Sequence, residues 1–586
     1  MGLREKMRII KYLFLLFLLV VLTYLFVKYL LVLEHRDVEE QEKTIIVEEI
    51  KEDTLKTIYL NELKAFPTAE GAGAIATGGR GGKVIYVSNR NASGEGSLSA
   101  ALKEEGKRTI VFSVGGKFTR GENENFGTHG DLTIAGQTAN DIGGVHLTNK
   151  ERAKKSHYSF RGENFIMRYL TARGQWELFY YDKKRSSQFD MHNSNKAIID
   201  HFSGGWGSKC MAFNKINPKN NIAGEFTFQR SLCIEGIGIS LTENGKRVRG
   251  HNISFVTGFP MSNANKLFSD EDREEKWNQY GRAWDFHHNA FIMLDHRQPT
   301  NTSGGISSKF SLINNYTYGW RARLAKHGGN AQLDMINNVF EQAEYGKKIE
   351  ASKLFKVGFT TPIKGAGDTF EFMPSIYVSG NKIYNMDGSL YLSPKSKRQF
   401  TLSYTYHDNT YNKINQPLED KYERQVAQSD TEDGSRMYPV VVSSVETLKK
   451  NLLDNVGAGV RFNSDGTMKE NDDSIDIKYI TFAKEKDGYH KKSKSFGDDG
   501  VGDPKHFIKN DYKMMVPRDL ETWDSDRDGM PNSWENEHGL NPNIPDNNGI
   551  TKEFRMNQYK IINNASYTNL EIYLADIAGD FHMLAL

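Results

Sequence analysis

Phe310-Ser-Leu-Ile-Asn-Asn315 and Ala331-Gln-Leu-Asp-Met-Ile-Asn-Asn338 decide the fold class. Each is a short, largely apolar stretch closed by asparagine. Related stretches are Phe286-His-His-Asn-Ala-Phe291, Ser375-Ile-Tyr-Val-Ser-Gly-Asn381 and Leu402-Ser-Tyr-Thr-Tyr-His-Asp-Asn409. Asn289 to Asn315 is 26 residues, Asn315 to Asn338 is 23, and Asn381 to Asn409 is 28. The step from Asn338 to Asn381 is 43, nearly twice that period. A period in the twenties with one short β unit per repeat is the mark of a solenoid. Each strand then stacks on the strand one turn away, and an asparagine at the bend can hydrogen-bond the turns above and below. A β-sandwich would need hairpin signals about every 8–12 residues, and Asn-Gly or Asp-Gly pairs are too sparse for that. Earlier strand-like pieces, Phe165 to Leu170, Lys196 to Asp200, Glu225 to Gln229 and Asn252 to Phe255, extend the pattern backward. The expected fold is all-β, a parallel β-helix.

Composition narrows the function. The chain has 586 residues, 76 basic and 74 acidic, for a net charge of +2. No overall field draws it to nucleic acid or a membrane surface, so nucleic acid is not an expected partner. At this length one globular core stops growing, and a long repetitive domain or several domains are needed. Only two cysteines occur, too few for a disulfide framework. Cys210 and Cys233 are 23 residues apart, about one turn of the coil, so they could form a disulfide or stack as buried thiols.

Before the coil, Arg4, Lys6, Arg8 and Lys11 precede an apolar run from Tyr12 to Val27 that resumes through Leu33. This reads as an export signal, expected over residues 1–33. No small-residue cleavage site or lipid-accepting cysteine follows, and the length favours a retained anchor with its positive end in the cytoplasm. The remainder is expected to be exported, to the periplasm, cell surface or medium. Residues 34–60 are glutamate-rich and read as a solvated spacer. The coil is expected over 61–440, a strap with a helix-like patch at Val445 to Leu453 over 441–515, and a separate tail over 516–586. The chain is expected to be a monomer.

That tail holds the sharpest motif. Asp524-Ser-Asp526-Arg-Asp528-Gly529-Met530, with Glu535 beyond, has oxygen donors at loop positions 1, 3, 5 and 12 and glycine at 6. Three carboxylates, the Met530 carbonyl and a terminal Glu535 able to bind through both oxygens are the donor set of an EF-hand-like Ca²⁺ loop. The expected role is structural, clamping the C-terminus.

A family resemblance enters through several pieces in order. These are Ala65-Phe-Pro-Thr-Ala-Glu-Gly71, Thr77-Gly-Gly-Arg-Gly-Gly82, Gly96-Ser-Leu98, Leu132-Thr-Ile-Ala-Gly-Gln-Thr138, Ile198-Ile-Asp-His-Phe-Ser203 with Trp206-Gly207, and His287-His-Asn289 followed by Arg297-Gln-Pro299. From about residue 64 to 345 their order and spacing resemble bacterial pectate lyase-like proteins. Pro531-Asn-Ser-Trp534 and Gly539-Leu-Asn-Pro542 resemble the calcium-binding tails of secreted polysaccharide lyases.

The resemblance implies a right-handed parallel β-helix and a lyase that cleaves polygalacturonate, an acidic plant-type polysaccharide, by β-elimination. A base removes the proton α to the sugar carboxylate, and cations stabilise the developing enolate. It implies Arg297 as base, in the first half of an R-x-P-x-x-R motif, nine residues after His288. An arginine base needs a neighbouring cation to make its neutral form accessible. Thr302 stands where the family has its second arginine, Ser187 replaces a carboxylate, and Lys209 with Cys210 follow Trp206-Gly207 where acidic residues are usual. Asp182, Asp190, Glu235 and Asp285 remain as carboxylates for a catalytic Ca²⁺. Two readings stay open. In one, Lys209 acts as a fixed cation in place of calcium; in the other, the groove only binds carbohydrate. His201, His288, Arg321 and Trp206 are the expected substrate-binding residues, flanked by Arg168, Arg173, Trp176, Arg323 and Lys326. A β-helix glycoside hydrolase would need paired, positioned carboxylates, and Asp182, Asp190 and Asp200 do not fall in such motifs.

Overall fold

The computed structural model describes residues 47–48, 55–120, 129–149, 158–173, 189–205, 209–213, 224–235, 239–241, 247–249, 253–257, 283–294, 298–301, 308–320, 324–327, 331–343, 355–360, 375–385, 387–392, 400–407, 410–417, 420–427, 438–462, 468–469, 471–486, 515–556 and 558–586. The expected signal or anchor at 1–33 lies outside them. Among the described residues no helix is long and apolar enough to cross a membrane.

Strands Lys83–Val87, Arg108–Phe112, Leu132–Ala135, Tyr158–Arg168, Phe189–Asp200, Gly224–Gln229, Ala283–His287, Ser308–Ile313, Ala331–Ile336 and Ser375–Ser379 lie side by side in chain order, all parallel. A second parallel sheet runs beside this first one, from Gly116–Arg120 through Leu170–Arg173, Ser203–Gly205, Leu232–Ile234, Ala290–Ile292 and Tyr316–Tyr318 to Lys382–Tyr384. A third face holds Lys209–Phe213, Ile253–Thr257 and Thr300–Asn301, with Ala325–His327, Phe355–Thr360 and Phe400–His407 as a further parallel set. Consecutive strands of one sheet that are parallel and adjacent require crossovers, which are right-handed in nearly all proteins. The fold is the expected right-handed parallel β-helix. Its lumen is filled by like residues stacked one turn apart, as in Phe226, Phe286 and Phe310, whose successive ring centroids are 5.9 and 5.1 Å apart.

The corner between the first and second sheets repeats a single conformation. Tyr169, His201, Arg230, His288, Asn314 and Asn337 all have positive φ, from 45° to 57°, and Gly380 follows them at 64°. Non-glycine residues adopt this region rarely. The next residue in the later turns is the buried asparagine of the period. The side-chain nitrogen of Asn289 donates to Asn315 Oδ1 at 3.0 Å, Asn315 to Asn338 at 3.0 Å and Asn338 to Asn381 at 2.6 Å. Each also donates to a strand carbonyl, Phe228, Phe286 or Leu312, while its own Oδ1 accepts a backbone N–H from the preceding turn. The asparagine period is therefore a hydrogen-bonded ladder.

Two steps of that period differ from expectation. Asn338 and Asn381 bond directly, so the 43-residue step is one turn with a long insertion, not two turns. Phe400–His407 pairs antiparallel with Thr410–Pro417 instead of continuing the parallel stack, and Asn409 lies outside the described residues.

Other segments cover the coil. Helices Val445–Asp454 and Ser474–Glu485 lay Leu448, Leu452, Tyr479 and Ile480 on Leu232, Ile292, Tyr316 and Val339 of the second sheet. Their starts are capped by Ser444 and Asp473, whose side chains accept backbone N–H groups of the first turn. On the first sheet's outer surface lies the short helix Ala72–Ile75, so close that a Cβ on Gly73 would stand 2.2 Å from the Ala197 carbonyl. The tail packs on the early turns, with Val111 and Ala135 joining its core. Lys56–Leu60, expected in the spacer, is instead a strand that pairs in parallel with Tyr559–Asn563 of the tail. Its alternation Thr57-Ile-Tyr-Leu60 buries Ile58 and Leu60 there. Cys233 is fully buried and disulfide-bonded, and the chain's only other cysteine is Cys210.

Replacing Asn315 by leucine removes the acceptor of Asn289 and the donor to Asn338 and Phe286 inside the wall. Stranded buried polar groups cost about 1–3 kcal/mol each, so Asn315→Leu should lower unfolding stability by about 2–4 kcal/mol in urea titration. A loss under about 1 kcal/mol would show that the ladder is dispensable.

His327 gives a pH prediction. It is fully buried against Phe310, and neither ring nitrogen has a hydrogen-bond partner among the described residues. Burial pushes its imidazole down from 6.5 to about 3. The unfolded chain therefore takes up a proton there before the folded chain does, and stability falls as pH drops below 6.5 toward 3. His327→Leu should shift the acid-unfolding midpoint, followed by circular dichroism, to lower pH. An unchanged midpoint would count against this account.

Candidate functional site

The C-terminal loop gathers more carboxylates than its motif announces. Asp524, Asp526 and Asp528 bring one oxygen each within 4.8 Å of one another, and Asp528, Glu535 and Asp546 form a second such group. Asp546 was not legible in the 12-residue pattern; it arrives from 18 residues downstream, where its backbone N–H donates to Asp528 Oδ2 at 3.0 Å. The aspartate in the turn after Gly539-Leu-Asn-Pro542 was the available signal. Gly529, at φ 100°, turns the loop, and Glu535 projects from helix Asn532–His538. Asp524 Oδ2 accepts the Gly529 N–H at 2.9 Å and also the Tyr86 hydroxyl, which ties the loop to the first strand of the coil.

Glu535 is the telling residue. It is 0% exposed, yet neither carboxylate oxygen has a partner among the described residues, and Asp526 Oδ2 and Asp546 Oδ1 are also without one. Burial first, then mutual repulsion, pushes Glu535 up to about 8, Asp528 to about 7 and Asp526 to about 6. A buried carboxylate left without donors is costly. The donor set, all hard oxygen, fits a cation that takes about six to eight oxygens.

Two expected substrate-binding residues, His201 and His288, stand at the corner between the first and second sheets. His201 is 0% exposed, stacks on Tyr169 at 4.7 Å and meets Asp200 at 2.8 Å. Asp200 also accepts from Arg168 at 2.8 Å and Gln229 at 2.8 Å, and Arg168 reaches Asp580 of the tail at 2.8 Å. His288 stands at the same corner, its Nε2 3.1 Å from the Ser443 hydroxyl. Both imidazoles occupy the positive-φ column and serve the corner; His201 is wholly buried there, whereas His288 is partly exposed. Arg168 and Arg173, expected to flank the groove, are buried as well, and Arg173 pairs with Asp473 at 2.7 Å and with Asp476. Glu235 accepts the Tyr479 hydroxyl at 2.7 Å beneath the strap helix. Asp285 accepts the Ala72 N–H at 2.6 Å and the Ser311 hydroxyl. These two carboxylates are committed to the fold and are not calcium ligands in a groove.

Of the remaining expected residues, Lys209 is placed on the third face by its backbone. Lys209 opens strand Lys209–Phe213, which pairs with the start of Phe189–Asp200 on one side and with Ile253–Thr257 on the other. Ile253–Thr257 in turn pairs with Thr300–Asn301. The backbone thus brings the strand that begins at Lys209 to within two strands of the residues that follow Arg297-Gln-Pro in sequence. Arg297, Arg321 and Trp206 lie outside the described residues.

No protein-family model matches the chain. Part of it is similar to curated fungal proteins. A protein named "Probable pectate lyase C" from Aspergillus flavus is 34% identical over 197 residues, 32% of this chain and 42% of the relative. Proteins of the same name from Neosartorya fischeri and Aspergillus fumigatus are 35% identical over 179 residues and 33% identical over 193. The chain thus spans less than half the length of the relatives it matches. Among solved structures, a Bacillus subtilis pectate lyase shows 14% identity and a TM-score of 0.37, covering 67% of this chain and 96% of that one. The major allergen from cedar pollen shows 13% and 0.37, covering 66% and 92%. Over 32% of its length, the chain is similar to proteins that carry that name.

Proposed function

We propose that the protein is a polysaccharide lyase that cleaves polygalacturonate, or a related uronate polymer, by β-elimination outside the cytoplasm. The observation that carries the reading is the 34% identity over 197 residues to a protein named as a pectate lyase. The third face of the coil is the proposed binding surface, because the corner and the second sheet are covered by straps. Arg297 is the proposed base. Lys209 is the proposed fixed cation that neutralises the uronate carboxylate, since Ser187 and Cys210 replace acidic residues and Glu235 and Asp285 are committed elsewhere. A low-dielectric site strengthens such a charge relative to water.

In the tail, Asp524, Asp526, Asp528, Glu535 and Asp546, with the Met530 carbonyl, are the proposed holders of a structural Ca²⁺. The support is the buried, partnerless Glu535 carboxylate. The ion would supply charge neutralisation to the loop and takes no part in the elimination. The chain is proposed to act as a monomer.

The activity test follows the ultraviolet absorbance of unsaturated uronide over a panel of uronate polymers. Cleavage should persist in chelator while the chain stays folded. Arg297→Lys should lower turnover by at least about 100-fold, the scale of general-base catalysis, with the melting temperature unchanged, and Lys209→Ala should abolish it. Near-normal turnover in Arg297→Lys would remove the base assignment. A folded chain that binds uronate polymers but cleaves none would establish a carbohydrate-binding protein on the same scaffold.

The tail is tested by stability. Calcium at about 100 times its dissociation constant should add about 2.7 kcal/mol to unfolding, and Glu535→Gln or Asp528→Asn should abolish that increment. A wild-type melting temperature indifferent to calcium would show that the loop holds no such ion.

A further inference from the structure

A second group of ligand-type side chains sits at the corner, away from both the third face and the tail loop. His287 ends strand Ala283–His287 and is 0% exposed; His288 follows at φ 52°. Their Nδ1 atoms face each other at 3.0 Å. Glu70, from the segment that crosses the first sheet, places Oε2 4.0 Å from His287 Nδ1. One donor atom from each of the three lies within 4.8 Å of the others.

This arrangement is poorly explained as packing. Two neutral imidazoles meeting through the same nitrogen share a single proton. A cation between the two Nδ1 atoms removes the conflict, because each ring then presents a lone pair inward. That state puts the proton of His288 on Nε2, where the Ser443 hydroxyl is in place to accept it at 3.1 Å. An outer partner of this kind fixes the tautomer and orientation of a ligating histidine. Glu70 is oriented similarly, as its Oε2 accepts the Val441 N–H at 3.1 Å. Val441 and Ser443 belong to the same strap.

We infer that Glu70, His287 and His288 form a binding site for a divalent transition-metal ion of the Zn²⁺ class. Two imidazoles and one carboxylate suit zinc, cobalt or nickel and do not suit calcium or magnesium, which prefer all-oxygen sets. Three protein donors leave a coordination position for water. The site joins the arm before the coil, a corner of the coil and, through Val441 and Ser443, the strap. Arg230 is the opposing charge. It is turned onto the Thr68 carbonyl at 3.1 Å and lies 3.8 Å from Asp200, which offsets part of its repulsion.

Cobalt is the probe, because its visible d–d spectrum reports imidazole ligation and is silent for calcium. The full chain, stripped by chelator and returned to buffer, should bind one Co²⁺ with a d–d band and lose it to added Zn²⁺. Glu70→Gln keeps an acceptor for the Val441 N–H. His288→Asn copies Asn314 and Asn337, which occupy the same corner position one and two turns on and donate to the Ser443 carbonyl. Both variants should fold, checked by circular dichroism, and both should lose the band, whereas Asp528→Asn in the tail loop should keep it. Absence of the band in the wild type, or its persistence in both folded corner variants, overturns the assignment.

Discussion

A coil of parallel strands must turn its backbone sharply at every rung while keeping the peptide groups of the turn away from water. The corner between the first and second sheets meets that requirement in two steps. One residue takes positive φ and reverses the chain, and the next supplies a side-chain amide that bonds the rungs on either side. The amide is suited to this because it carries two donors and an acceptor on one short stem. Asn315 uses these at once, donating to Phe286 and Asn338 and accepting from the Asn289 amide. Earlier in the coil Ser231 takes the position; its hydroxyl accepts from Phe202 N at 3.0 Å and donates to the Gln229 carbonyl at 2.7 Å. The ladder is thus a solution to an accounting of buried backbone groups.

Everything laid over the coil answers to that corner. Ser443 bonds Asn314, Asn337 and His288, so the strap reads three successive positive-φ residues in one pass. Where the corner residue is His201, the adjacent Asp200 is neutralised by Arg168, whose guanidinium also takes both oxygens of Asp580 at 2.8 and 2.9 Å and lies over the Phe66 ring. Breaking a buried pair costs about 3–5 kcal/mol because it strands a charge. The tail is therefore fastened to the coil by a buried cation, and Lys56–Leu60 is fastened to the tail by a parallel pairing. Arg173 plays the same part for helix Ser474–Glu485. The tail behaves as part of the coil's own folding unit, and removing it would leave Arg168 half-paired in the wall.

The period was legible because a ladder needs the same side chain at the same place in each turn, so it prints itself as spacing. The calcium-type loop was legible because its donors come from one continuous segment. What failed in each case depended on distant chain. His201 and His288 look like site residues in sequence, flanked by aromatic and basic neighbours, and only the arrival of Asn455, Ser443 and Asp580 from more than 150 residues away buries His201 and engages His288. Asp546 was missed for the same reason on a smaller scale. The 43-residue step looked like two turns because spacing cannot distinguish an added rung from a loop that leaves the wall and returns to it.

The assignment of charges in the coil also constrains where the proposed chemistry on an acidic sugar could take place. Buried carboxylates of the coil and of the helices laid on it are taken up by structural partners: Asp200 and Asp580 hold Arg168, Asp473 and Asp476 hold Arg173, Asp334 holds Arg424, and Glu235 and Asp285 serve a hydroxyl and an amide. Taking one of them as a ligand for a groove cation would strand its arginine, at a cost exceeding what a weakly held ion returns. The third face is left with what its own strands supply. There the sequence sets Lys209 beside positions where acidic residues would be expected, and a lysine cannot share a small site with Ca²⁺ without repulsion. A uronate chain brings its own negative charge, so under the proposed function it would be drawn to a fixed ammonium there without any ion. On the proposed reading, the carboxylates that the fold keeps at its corner and the cations that an acidic polymer would need belong to different surfaces of the same coil.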